Sequence, residues 1–108
     1  MGVDRTDYLM FGVDVGADNF DWDKHQAEVE GAPDRLFDVV YDGMSGEYCI
    51  AGKVLARTDA YRGEPDMVVI DPDDLSIDRS ALADIVSVAF GRQYSAGDFR
   101  LIMFSHFS

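Results

Sequence analysis

From Leu82 to Phe90 the apolar residues Leu82, Ile85, Val86, Ala89 and Phe90 recur at i, i+3, i+4, i+7 and i+8, the spacing of one α-helical face. Asp78 or Ser80 can cap the start of this helix, and Gly91 or the Ser95-Ala96-Gly97 stretch can end it. Such a continuous stripe has to be buried against something, and the rest of the chain offers mostly strands. Tyr8 to Val15, aromatic and β-branched and closed by Gly16, predicts the first. Leu36–Tyr41 and Glu47–Arg57 flank the glycine-bearing loop Asp42-Gly43-Met44-Ser45-Gly46 and read as a β-hairpin. In its second arm Tyr48, Ile50, Val54 and Ala56 share one face while Cys49, Lys53 and Arg57 share the other, which predicts a half-buried strand, and Gly52 marks a bulge or a close backbone approach. Asp98 to Phe107 forms the last strand, and its apolar residues on both faces predict substantial burial. A shorter helix over 23–30 has Asn19 or Asp21 as its cap, Gly31 as its stop, and a thin stripe of Trp22 and Val29. Between them, Arg62-Gly63-Glu64-Pro65 reads as a turn and Met67 to Ile70 as a short extra strand or an extended connector.

The order strand, helix, strand, strand, helix, strand predicts an α+β fold: a two-layer antiparallel sheet with two helices on one face, in ferredoxin-like βαββαβ order. Another two-layer α+β arrangement is the alternative. With 108 residues the chain is expected to form one domain, 1–108, and at 47% hydrophobic residues it can bury over about 60% of its unfolded surface without disulfides or metal. Cys49 is the one cysteine, so no internal disulfide forms and a reducing compartment is expected. The first seven residues carry Asp4 and Asp7 where a secretory signal would be positive. Gly2 and Thr6 superficially suit myristoylation, but one acyl chain anchors only marginally. No apolar run approaches the roughly 20 residues that cross a bilayer, and the expectation is a cytoplasmic protein without membrane association.

Charge then excludes two partner classes. The 21 acidic residues against nine basic ones leave −12, which opposes direct binding to nucleic acid or to an anionic membrane, where each phosphate contact wants a Lys or Arg. Aspartate outnumbers glutamate 17 to four. GC-rich coding, salt adaptation, or a carboxylate surface read by a basic partner would each produce that skew.

Several short motifs suggest chemistry, and each has an ordinary structural role. Gly12-Val13-Asp14-Val15-Gly16-Ala17-Asp18-Asn19 resembles the first phosphate loop of actin- and chaperone-type ATPases, but that family needs two large lobes and further motifs, and a strand end before a glycine turn accounts for the segment. Asp71, Asp73, Asp74 and Asp78 form one carboxylate cluster and Asp18, Asp21 and Asp23 a second. The first fails the calcium-loop pattern, because Leu75, Ser76 and Leu82 occupy positions needing a ligand, a glycine and the closing glutamate. A solvated loop with Pro72 at a helical start explains it. His25, His106 and Cys49 lie on three predicted elements without the local spacing of a zinc site, so no metal and no cofactor is expected. His106-Phe107-Ser108 resembles half of the paired signature of two-histidine phosphoesterases, whose second copy is missing because His25-Gln26-Ala27 lacks the hydroxyl. Cys49, between Tyr48 and Ile50 on a strand, reads as a buried inert thiol. Among the aromatics near element ends, Tyr8 and Tyr94 included, Trp22 and Tyr61 are candidate contact residues, while Tyr8 reads as cover for the core edge.

Asp7 to Val13, Phe37 to Gly46 and Ile102 to Phe107 together resemble small acidic proteins encoded by bacteriophages. That resemblance implies an accessory or host-directed role and supplies no catalytic residue. The expected function is a non-enzymatic binding protein, monomeric or homodimeric, that docks on a basic surface of a host protein through Asp71, Asp73, Asp74, Asp78, Asp18, Asp21 and Asp23 with Trp22 and Tyr61. The alternatives are a small metal-dependent hydrolase built on the same carboxylates, or a structural, self-assembling domain with salt-adapted acidity.

Overall fold

A computed structural model describes residues 5–59 and 67–107. Its elements are β1 (Arg5–Asp14), α1 (Trp22–Glu30), β2 (Asp38–Tyr41), β3 (Cys49–Asp59), α2 (Arg79–Phe90) and β4 (Arg100–Phe107). Among the described residues these make an α+β fold, a four-stranded antiparallel sheet in the order β2-β3-β1-β4 with two α-helices. Both helices begin on an aspartate whose carboxylate accepts a free first-turn N–H, Asp21 from Asp23 and Asp78 from Ala81. Both end on a glycine in the left-handed region, Gly31 and Gly91, where a side chain would be strained. The segment Met67 to Ile70 is a connector without regular secondary structure and not an extra strand, and the turn expected over 62–65 lies outside the described residues.

Directly paired residues share a face of the sheet, so the register sorts the side chains. Phe11, Val13, Val39, Tyr41, Cys49 and Ala51 lie on one side and pack with Leu82, Ala83 and Val86 of α2, with Val29 of α1 and with Phe99. Met10, Val40 and Ile50 lie on the other, ringed by Tyr8, Tyr48, Val54, Ile102 and Phe104. The first residues of β3 are therefore buried on both faces, whereas simple alternation predicts a half-buried strand. A bulge explains a second departure. Leu9 pairs with Ala56 and Met10 with Val54, so Leu55 is left over and the phase reverses. Arg57 thereby joins the face of Ile50 and Tyr8, and Ala56 leaves it.

The sheet is also sharply bent. Ile50 pairs with Asp14 and Phe104 with Tyr8, so a flat sheet would hold the two about 20 Å apart along β1, with Tyr48 further still. Yet the Tyr48 and Phe104 rings meet at 5.4 Å. Gly12 faces Gly52 beside the bulge in the stretch between these residues, and the helix-free face closes over Met10, which is fully buried. This curl is how a face without helices acquires a core of its own.

The expected burial of β4 holds on one face only. Ile102, Phe104 and His106 turn into the curl, but Leu101, Met103 and Phe107 are exposed, the helices packing mainly on β2 and β3 among the described residues.

Candidate functional site

The turn before α1 and the last turn of α2 enclose a groove of about 700 Å³, with Asp18, Asp21, Trp22 and Lys24 on one wall and Val88 and Gly91 on the other. His25 fixes these walls together. Its Nδ1 accepts the Asp21 N–H at 3.2 Å, which leaves Nε2 protonated to donate to the Ala89 carbonyl at 3.0 Å, and its ring stacks on Phe90 at 4.2 Å. Buried and satisfied at both nitrogens, His25 is a structural tie between the helices. Phe20 stacks on Tyr41 and meets Trp22 edge-on, which holds the half-exposed indole at the mouth of the groove. Asp23 is exposed next to it, and Arg92 donates to Asn19 on the same rim.

The other carboxylate cluster sits at the opposite end of α2. Asp71 caps a 3-10 turn over 72–75 with Pro72 at its start, Asp73 and Asp74 are exposed in that turn, and Asp78 caps α2 itself. A twelve-residue helix holds the two clusters about 18 Å apart. Sequence reasoning missed what joins them. Asp84 and Val88 are exposed and, with Ser80, fall at i, i+4 and i+8, so they form the solvent stripe running from the acidic turn to the Trp22 groove. The helical period that located the buried face contained this stripe as its complement. Cations punctuate both ends: Lys24 and Arg92 at the groove, Arg79 at the acidic turn, and Arg35 and Lys53 in a cleft beside Ile77 and Leu82. Arg79 leans over the Phe11 ring, and Arg35 is paired with Asp38. Tyr61 lies outside the described residues.

The excess of aspartate has a structural cause. Asp14, Asp21, Asp38, Asp42, Asp71, Asp78 and Asp98 all accept backbone N–H groups at caps, turns and strand ends. Glutamate is one methylene too long for most of these local bonds. Asp42 shows it most fully, taking the N–H groups of Ser45, Glu47 and Met44 across the hairpin loop. Donation from Ser45, then Glu47, holds its carboxyl below the ordinary range against the opposing effect of burial.

No three His, Cys, Asp or Glu side chains converge as metal ligands among the described residues. The Cys49 thiol is fully buried, and desolvation, with Asp14 nearby, pushes it up to about 12, so it is protonated and unreactive. His106 is not isolated either: its Nδ1 meets the Tyr48 hydroxyl at 2.6 Å, across the mouth of the curled sheet. No family model, curated protein or solved structure matches this chain significantly. No helix among the described residues is long and apolar enough to cross a membrane.

The Tyr48 and His106 contact gives a pH dependence with a definite sign. Burial raises Tyr48, so the phenol keeps its proton and donates. Burial lowers His106 below its usual value of about 6.5, more than Asp42 restores, so the imidazole stays neutral and accepts. The unfolded chain then takes up the proton first as pH falls. Stability is complete above about pH 6.5, declines as pH falls toward the lower folded pKa, and is flat again below it. Urea midpoints between pH 7.5 and 5 are expected to fall for the native chain and to change much less for His106→Gln; equal slopes would contradict this account.

Proposed function

We propose that the chain is a non-catalytic, cytoplasmic binding protein that docks its acidic α2 side on a basic surface of another protein, one that itself handles nucleic acid. The observation that carries this reading is the solvent stripe of α2. Asp84 lies on it, Asp71, Asp73 and Asp74 are exposed in the turn that precedes it with Asp78 at the cap, Arg79 is the one cation in that stretch, and the stripe ends at the exposed Val88 beside the groove of the half-exposed Trp22. Among the described residues the side-chain carboxylates of Asp73, Asp74 and Asp84 take no part in a hydrogen bond or ion pair, so their charge is available to a partner. Carboxylates clustered in a turn and continued onto the helix it leads into can stand in for neighbouring backbone phosphates, and the net charge steers a basic partner toward them. The resemblance to small acidic phage proteins makes a host protein the intended target. The βαββαβ element order, with β1 and β3 central and antiparallel, supports reading the architecture as ferredoxin-like.

The test neutralises charge without touching a cap. Asp73→Asn, Asp74→Asn and Asp84→Asn combined are expected to leave the urea midpoint unchanged and to weaken partner binding about tenfold or more, with a shallower salt dependence. Duplex DNA should compete for the same partner. A partner held equally well by the triple variant, at the same salt slope, would refute the proposal.

A further inference from the structure

The two edges of the sheet are treated differently. β2 is only four residues long, and where it stops the Asp38 carboxylate takes the next N–H of β3, that of Val54, so this edge is short and carries a charged side chain. β4 is eight residues long, carries no proline or lysine, and among the described residues pairs with β1 alone. Soluble proteins ordinarily shorten, charge or cover such an edge. Here its helix-side residues stand out instead: Met103 is 81% exposed, Leu101 54% and Phe107 47%. Val68 of the connector lies against the same side, across a small cleft floored by Leu9 and Ala56.

We infer that β4 is a self-association edge, pairing antiparallel with β4 of a second copy of this chain to make one continuous sheet. Charge selects the occupant. β1, β2 and β3 all contain aspartate, whereas the one ionised side chain of β4 is Arg100, and the nearest carboxylate, Asp7, is held by Arg5 and Ser105. A basic partner gains nothing at this neutral edge. Two chains of net charge −12 can approach each other here with least repulsion. Geometry agrees, since a two-fold axis perpendicular to the sheet through Met103 sets Met103 opposite itself, Ile102 opposite Phe104 and Leu101 opposite Ser105, each pair on one face. The paired edges and clustered side chains approach the low end of stable interfaces, about 1,000 Å², so a concentration-dependent dimer follows.

Sedimentation of the native chain from about 10 µM to 1 mM is expected to show monomer converting to dimer, more completely at high salt because screening removes the net repulsion. That salt response is opposite in sign to the one expected for a basic partner, so either reading can fail alone. Met103→Lys, at an exposed position, should stay monomeric and keep the native urea midpoint. Met103→Cys with oxidised glutathione should form a disulfide-linked dimer, because facing Cα atoms in an antiparallel pair are about 5 Å apart. Asp84→Cys on α2 should not, and buried Cys49 should not interfere. A monomer throughout the concentration range, a dimer that survives Met103→Lys, or equal cross-linking at position 84 would overturn the inference.

Discussion

Replacing Gly52 by alanine is expected to destabilise the protein by about 3 kcal/mol or more, a large share of what a domain of this size has. The cause is backbone meeting backbone. A Cβ on Gly52 would overlap the Phe11 carbonyl oxygen and lie 2.6 Å from the Gly12 Cα, and neither can turn aside as a side chain could. Relief requires β1 and β3 to separate where the sheet bends, which in turn pulls Tyr48 away from Phe104 and His106 and opens the burial of Met10. Gly12→Ala meets the Ala51 carbonyl oxygen at 2.8 Å and should follow in the same direction with a smaller loss. Gly43→Ala, with only the Tyr41 ring at ordinary contact distance, should cost within about 0.5 kcal/mol. Urea midpoints for the three variants, together with near-ultraviolet circular dichroism of the tyrosines, check both the ranking and its cause. A Gly52→Ala protein with native stability and native tyrosine signal would mean that the bend does not depend on this contact.

That bend marks the limit of what the chain discloses by itself. Period and capping are local properties, so α2 with its Asp78 cap and Gly91 stop, α1 with Asp21 and Gly31, and the hairpin of β2 and β3 were all readable. Gly52 was readable as a bulge or a close approach, the two usual reasons for a glycine inside an apolar strand, and the structure makes it the second. What it approached was not, since the Gly12 and Gly52 pairing depends on register between distant segments. The bulge at Leu55 was hidden for the same reason, and with it the side on which Arg57 emerges. The candidate binding residues divide likewise. Asp71, Asp73, Asp74 and Asp78 are neighbours in sequence and remain so in space, but their placement at the far end of α2 from Asp18, Asp21 and Trp22 follows from the His25 tie between helices. Counting charges also overstated how many aspartates serve the surface, because a cap and a docking carboxylate look alike in a sequence.

Phe99 and Met103 put the same difficulty to a quantitative test. Both stand in one apolar run, Phe99 to Phe104, interrupted only by Arg100, and alternation treats them as equivalents on one face of a buried strand. The structure separates them. Asp98 closes a 3-10 turn by taking the Ser95 N–H, which places Phe99 before β4 and drives its ring, 1% exposed, between α2 and the sheet against Val86, Phe37 and Cys49. Met103, on the strand itself, is 81% exposed. Phe99→Ala should therefore cost about 3–5 kcal/mol, the transfer of a phenyl group to water plus the cavity left among residues too well packed to close it. Met103→Ala should change the stability of the monomer by less than about 0.5 kcal/mol. Equilibrium unfolding at low micromolar concentration, where association is negligible, measures both. Because α2 is held to the sheet largely through this cluster, the Phe99 variant should also loosen the groove around Trp22, visible as a red shift of its fluorescence before global unfolding. Similar losses at the two positions would mean that β4 is covered on its helix side after all, and the edge proposed for a second copy would then be closed.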